Sequence, residues 1–102
     1  MDDARQRLGR RSAKWWRTET AAGRTRAAAV GALVAGVAGM VARLEGEDRG
    51  APPAPPREDV LVDQFAVVAY DLLLALGAAP DPQAARDAET LISRTLAEVD
   101  PR

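Results

Sequence analysis

The chain has 102 residues and a formal net charge of −1, which is the size of one small domain. It contains no cysteine and no histidine, which excludes disulfides, thiolate metal ligands, a cysteine nucleophile and a histidine general base. Apolar residues make up 47% of the chain but aromatic residues only 4%, so we expect a core formed by close contact between helices.

The charges divide the chain into a basic beginning and an acidic remainder. Residues 1–26 carry eight basic and three acidic residues, whereas residues 27–102 carry six basic and twelve acidic residues. This asymmetry predicts a basic arm that attracts the acidic half of the chain, a nucleic acid or anionic lipid.

The first predicted element is a basic helical arm over residues 1–25. Asp3 can cap a helix, and Gln6 stands three residues later, where a capping box places its second member. Leu8, Ser12 and Trp15 then follow at helical spacing. The pattern predicts one helix through these positions.

Two adjacent tryptophans, between Lys14 and Arg17, are the most distinctive feature of the arm. In one interpretation, one indole anchors the arm on the bundle and the other lies half exposed beside arginines. In the other, the arm binds an anionic surface, either lipid headgroups or nucleic-acid bases and phosphates. The residues predicted for that binding are Arg10, Arg11, Lys14, Trp15, Trp16 and Arg17.

The second predicted element is an apolar helix over residues 26–44, after a bend caused by threonines and a glycine at 18–25. Gly31, Ala35 and Gly39 recur every four residues, which places them in one stripe of small side chains. A second stripe lies beside it and consists of Ala28, Ala32 and Gly36. Such a stripe lets another helix approach closely, so we predict helix packing there. Gly46 is expected to end the helix.

This helix is apolar on all sides, so it belongs either in a protein core or in a membrane. A transmembrane helix needs about 20 largely apolar residues. Alanine and glycine contribute little to insertion, which favours the buried helix of a soluble bundle. The alternative is a membrane segment with the basic N-terminus in the cytoplasm.

Residues 45–57 form an acidic, proline-rich linker, because four prolines within 51–56 prevent a helix. Residues 58–102 are predicted to form an antiparallel helical hairpin, with helices at about 59–76 and 81–99. Asp81 and Pro82 are a capping residue and a first-turn proline. The fold class is therefore all-α, a small bundle of three or four helices.

The 59–76 helix carries more apolar surface than a small bundle can cover. Phe65 belongs to its main apolar face, whereas Val67 and Leu74 lie close to its narrow polar edge. Large exposed apolar residues usually mark a partner, so we predict helix packing or partner contacts at all three residues. In the last helix, Arg94 and Glu98 are predicted to pair at i,i+4.

The sequence has no glycine-rich phosphate loop and no activated nucleophile, so it predicts no enzyme activity, no cofactor, no metal and no small-molecule substrate. We predict a cytoplasmic interaction or scaffold protein that acts through helix–helix packing, with a protein partner or self-association. One alternative is a single-pass or peripheral protein of the inner or plasma membrane, anchored by residues 26–44. The other is nucleic-acid binding through the basic arm.

Overall fold

The computed structural model describes residues 2–9, 11–46 and 60–101, which form five helices and, within those ranges, no strand. The predicted all-α bundle is confirmed. The predicted linker, residues 45–57, lies outside the described residues except for its first two positions. The helices are α1 (Asp2–Leu8), α2 (Ala13–Arg17), α3 (Arg26–Glu45), α4 (Val60–Ala78) and α5 (Pro82–Val99).

The N-terminal arm, residues 2–25, contains two short helices, so the prediction of one helix was wrong. Ser12 is the N-cap of α2 rather than an interior residue, and its hydroxyl accepts a hydrogen bond from the backbone N–H of Trp15 at 3.1 Å. A serine in this position satisfies an N–H that the first helical turn leaves without a partner. The chain therefore starts a new helix at residue 13.

The predicted break between the arm and the apolar helix is confirmed. The backbone N–H of Thr20 donates to the carbonyl of Arg24 at 2.7 Å, and Gly23 adopts a φ of 83° that glycine tolerates without strain. Thr25 then caps α3 by accepting from the N–H of Ala28 at 3.1 Å. This tight turn lets α3 begin in a new direction.

The apolar helix α3 is the centre of the bundle and packs against both α4 and α5. It ends where predicted, at Gly46, whose φ of 70° is left-handed and whose N–H bonds back to the last turn. Its buried side chains come from two adjacent sides of the helix, as expected for a helix between two neighbours. They are Ala29, Val30, Leu33, Val34, Val37 and Val41.

The C-terminal helices lie close to their predicted bounds, and only residues 79–81 separate α4 from α5. Asp81 is the N-cap of α5, and its carboxylate accepts from the N–H of Ala84 at 3.0 Å, with Pro82 in the first turn. The most extensive helix packing is between α3 and each of these two helices, and any contact of α4 with α5 is much smaller. Thus α3 holds the hairpin together.

Candidate interaction surfaces

The most exposed apolar surface of the described residues lies on α4. Four large side chains there, Val67, Tyr70, Leu73 and Leu74, are 55–62% exposed, and we call this set the α4 face. All the exposed large apolar side chains of the described residues belong to it. Because isolated exposed leucines are common but a cluster on one helix is not, the α4 face is a candidate binding surface.

The α4 face exists because α4 is apolar on nearly every side. The opposite side of the helix packs into the bundle, where Leu61, Phe65 and Leu72 are almost completely buried. Phe65 is thus a core residue, whereas Val67 and Leu74 are exposed as their place near the polar edge predicts. Tyr70 and Leu73 were not among the predicted contact residues, although Tyr70 stands three residues after Val67 and so lies on the same side of the helix.

The charged residues that α4 itself places near this face are acidic. Asp63 is exposed one turn before the face begins, and Asp71 is half-buried. These are the charged residues of α4, whose sequence VLVDQFAVVAYDLLLALGA contains no lysine or arginine. The α4 face is therefore an apolar surface beside carboxylates, with no cation on its own helix.

The two tryptophans of the arm have different environments. Trp16 is 1% exposed and belongs to the core, and its ring meets that of Trp15 edge to face with centroids 4.9 Å apart. Trp15 is half-buried, with the guanidinium carbons of Arg11 and Arg26 at 4.8 and 5.0 Å from its ring centroid. This is the first of the two predicted arrangements.

Three arginines of the arm region bind the C-terminal end of α5. Arg7 donates to the Oδ2 atom and the backbone carbonyl of Asp100 at 3.2 and 3.0 Å, and Arg11 lies 3.3 Å from the same carboxylate. Arg26 donates to the carbonyl of Val99 at 2.7 Å. Cations are favourable at the partly negative end of a helix, whose last carbonyls lack intrahelical partners.

A fourth arginine forms a bidentate ion pair with Glu98, in the same last turn of α5. Arg24 donates to both carboxylate oxygens of Glu98 at 2.8 and 2.7 Å, and the Thr20 hydroxyl donates to the same carboxylate at 2.9 Å. The hydrogen bonds from Arg24 lower the pKa of Glu98, against the opposing effect of burial, and the pairing raises the pKa of Arg24. The predicted partner of Glu98 was Arg94, but Arg24 occupies the carboxylate instead.

These contacts change the interpretation of the predicted anionic-surface site. Trp16 is in the core, and Arg11, whose side chain is 31% exposed, is paired with Asp100 at the end of α5. Lys14 and Arg17 are exposed, and Arg10 lies outside the described residues. Binding of lipid or nucleic acid by the arm stays a prediction.

The two small-residue stripes of α3 differ in how closely other side chains approach their glycines. A Cβ atom added at Gly31 would lie 4.0 Å from Leu61, and one added at Gly39 would lie 3.6 Å from Arg43, which are ordinary contacts. Ala35 is half-buried. The closest approach is at Gly36, where an added Cβ would lie 2.7 Å from the Cδ2 atom of Leu91 on α5.

Within the described residues, no group of three or more acidic, histidine or cysteine side chains is placed to hold a metal ion.

Both α3 and α4 are long and apolar enough, by length and composition, to cross a membrane, although core helices of soluble proteins meet the same criteria. Comparison of the chain with protein-family models, with curated protein sequences and with solved structures gives no match.

Proposed function

We propose that this chain is a non-catalytic helical interaction protein, and that its binding surface is the α4 face. The observation that carries the proposal is that the face exposes more than half of four large apolar side chains on a single helix. In water this exposure is unfavourable, at roughly 25 cal/mol for each Å² of apolar surface that a partner could cover. A partner that covers the face therefore gains binding energy without unfolding any part of the bundle.

The rest of the fold supports this assignment by keeping the α4 face in place. Phe65 and Leu72, on the opposite side of α4, are fully buried and fix its rotation about the helix axis. The arm is attached separately to the end of α5 by its arginines, and α1 also contacts α4. The face is thus presented on a helix with a buried, well-packed back.

The test is site-specific photo-crosslinking in living cells that produce the full chain. The photoreactive residue p-benzoylphenylalanine replaces Tyr70 in the α4 face, and in a matched control it replaces Ser93, which is exposed on α5. We expect crosslinks to a polypeptide from position 70 and none from position 93. If position 70 gives no polypeptide adduct, or if both positions give the same adducts, the proposal is refuted.

A membrane is the second candidate for this chain, because α3 and α4 both have the length and composition of membrane spans. In that case the two helices would leave the bundle and their apolar side chains would meet lipid. Carbonate washing of membranes from the producing cells tests it. Protein that remains in the membrane pellet supports insertion, whereas complete extraction into the supernatant contradicts it.

A further inference from the structure

We infer that the occupant of the α4 face is the α4 face of a second copy of this chain, packed antiparallel about a two-fold axis near Tyr70. The inference rests on the proposed function and names its partner. Two features of α4 support it, the charges and the pattern of large and small residues, and the size of the face determines how strong the contact can be.

The charges of α4 disfavour lipid and favour an antiparallel pair. Helices that lie on membranes usually carry lysine and arginine beside their apolar face, but α4 has only Asp63 and Asp71. A parallel pair would bring each Asp63 next to its copy. In an antiparallel pair about Tyr70, the two Asp63 residues are about 21 Å apart along the axis, well beyond the screening length of about 8 Å. Asp71 lies about 100° around the helix from Tyr70, on the flank of the contact.

The residues of the face match one another when two copies run in opposite directions. At about 100° and 1.5 Å per residue, Leu74 of one copy lies beside Val67 of the other, on the same side of the contact. On the other side, Leu73 lies beside Ala66, which is small and half-buried. Large side chains therefore meet medium or small ones, as close packing of two helices requires.

At each end of this contact, Asp63 lies beside Gly77 of the other copy. Gly77 is exposed, and a Cβ atom added there would meet nothing within 4 Å. The carboxylate can therefore keep its water, because no side chain covers it. A glycine so placed lets the ends of the two helices approach without burying a charge.

The size of the face predicts a weak dimer. Four side chains of this size, each more than half exposed, present on the order of 400 Å² of surface. Two such faces bury on the order of 800 Å² together, which is below the roughly 1,200 Å² at which stable specific interfaces begin and in the range of weak, transient ones. The dimer is therefore expected to dissociate on dilution.

Substitution of Gly77 provides a test in which the affinity of the dimer is predicted to increase. Gly77→Lys puts a cation beside Asp63 of the other copy, twice per dimer, and is expected to tighten the dimer by about 3- to 30-fold. Gly77→Glu puts two like charges there and is expected to weaken it by a similar factor. Gly77→Ala controls for helix propensity, and adding Asp63→Asn to Gly77→Lys should remove the gain. The measurement is sedimentation equilibrium of the full-length protein without detergent, at several concentrations.

Leu74→Glu is expected to weaken the dimer, because it puts a charge inside the contact, beside Val67 of the other copy. It is expected to weaken the dimer by more than about tenfold, since a charge in a desolvated contact without a partner is unfavourable. Ser93→Glu carries the same charge on α5 and should leave the dimer unchanged. Circular dichroism confirms that each variant is folded.

The inference is overturned if the wild type is a monomer at every concentration, if Leu74→Glu has no effect, or if Gly77→Lys and Gly77→Glu change the dimer alike. A monomer whose Tyr70 position still crosslinks to another polypeptide in cells overturns only the self-association and leaves the proposed function standing. A monomer without any such crosslink refutes both.

Discussion

The three glycines of α3 are predicted to respond differently to the same substitution. In a helix interior, glycine is about 0.8–1 kcal/mol less favourable than alanine, so Gly→Ala stabilises wherever there is room for a methyl group. The added Cβ would lie 4.0 Å from Leu61 at Gly31 and 3.6 Å from the mobile end of Arg43 at Gly39. We expect each of these two substitutions to raise the melting temperature by about 4–8 °C.

Gly36 is the exception, because the Cβ of an alanine there would lie 2.7 Å from Leu91 Cδ2. Carbon atoms separate by about 3.5–4.0 Å at their optimum, so α3 and α5 cannot accommodate the methyl group unless Leu91 moves. Overpacking of this kind costs about 1–3 kcal/mol, and the half-buried tip of Leu91 can rotate, which favours the lower end. Offset by the helix-propensity gain, Gly36→Ala should be neutral or destabilising by about 1 kcal/mol.

Urea and thermal unfolding, followed by circular dichroism, measure all three variants under the same conditions. A double-mutant cycle supplies the control, since Leu91→Ala removes the atom that the methyl group would strike. In that background Gly36→Ala should recover the full stabilisation of about 0.8–1 kcal/mol. If Gly36→Ala already stabilises the wild type as much as Gly31→Ala does, the close approach of α3 and α5 at Gly36 is wrong.

Five further substitutions, at four positions, test the arm and the two ends of α5 by urea unfolding. Glu98→Gln should cost about 0.5–1 kcal/mol at neutral pH. Folding lowers the pKa of Glu98, so the stability difference between wild type and Glu98→Gln is present above the usual pKa of glutamate. It disappears as the pH falls through the lowered pKa. A stability difference that persists in strong acid contradicts the pairing with Arg24. Trp16→Ala should lower the free energy of unfolding by about 3–5 kcal/mol, and Trp15→Ala should lower it much less. Equal losses for the two variants would argue against the core position of Trp16. Asp81→Ala should lower the free energy of unfolding by about 1 kcal/mol, whereas Asp81→Asn should change it little because asparagine also caps helices. Equal effects of the two substitutions would show that Asp81 does not stabilise α5 as its N-cap.

Those parts of the fold that depend on local signals were predictable from the sequence. Asp81 and Pro82 mark the start of α5, and Gly46 marks the end of α3, because caps and stops act within one turn of the chain. The division of the arm was missed because Ser12 fits a helical spacing as well as an N-cap. Spacing alone does not decide between the two positions.

The contacts between distant residues were predictable only in outline. The charge asymmetry predicts that the arm attracts the acidic half of the chain, but it does not select Asp100 and Glu98 as the partners. Likewise, the stripes of small residues predict close helix packing, but which glycine meets a neighbour depends on how α5 lies across α3. The choice of Gly36 follows from the tertiary arrangement.

The attachment of the arm to the end of α5 also constrains the order in which the protein can fold. Arg7 and Asp100 are 93 residues apart in the chain, and Arg24 and Glu98 are 74 apart. Contacts of such long range form slowly, because a long loop must close before they add any stability. During synthesis the first residues leave the ribosome long before the last turn of α5 is made. The arm therefore cannot be attached to the end of α5 by these arginines until residues 98–100 have been translated.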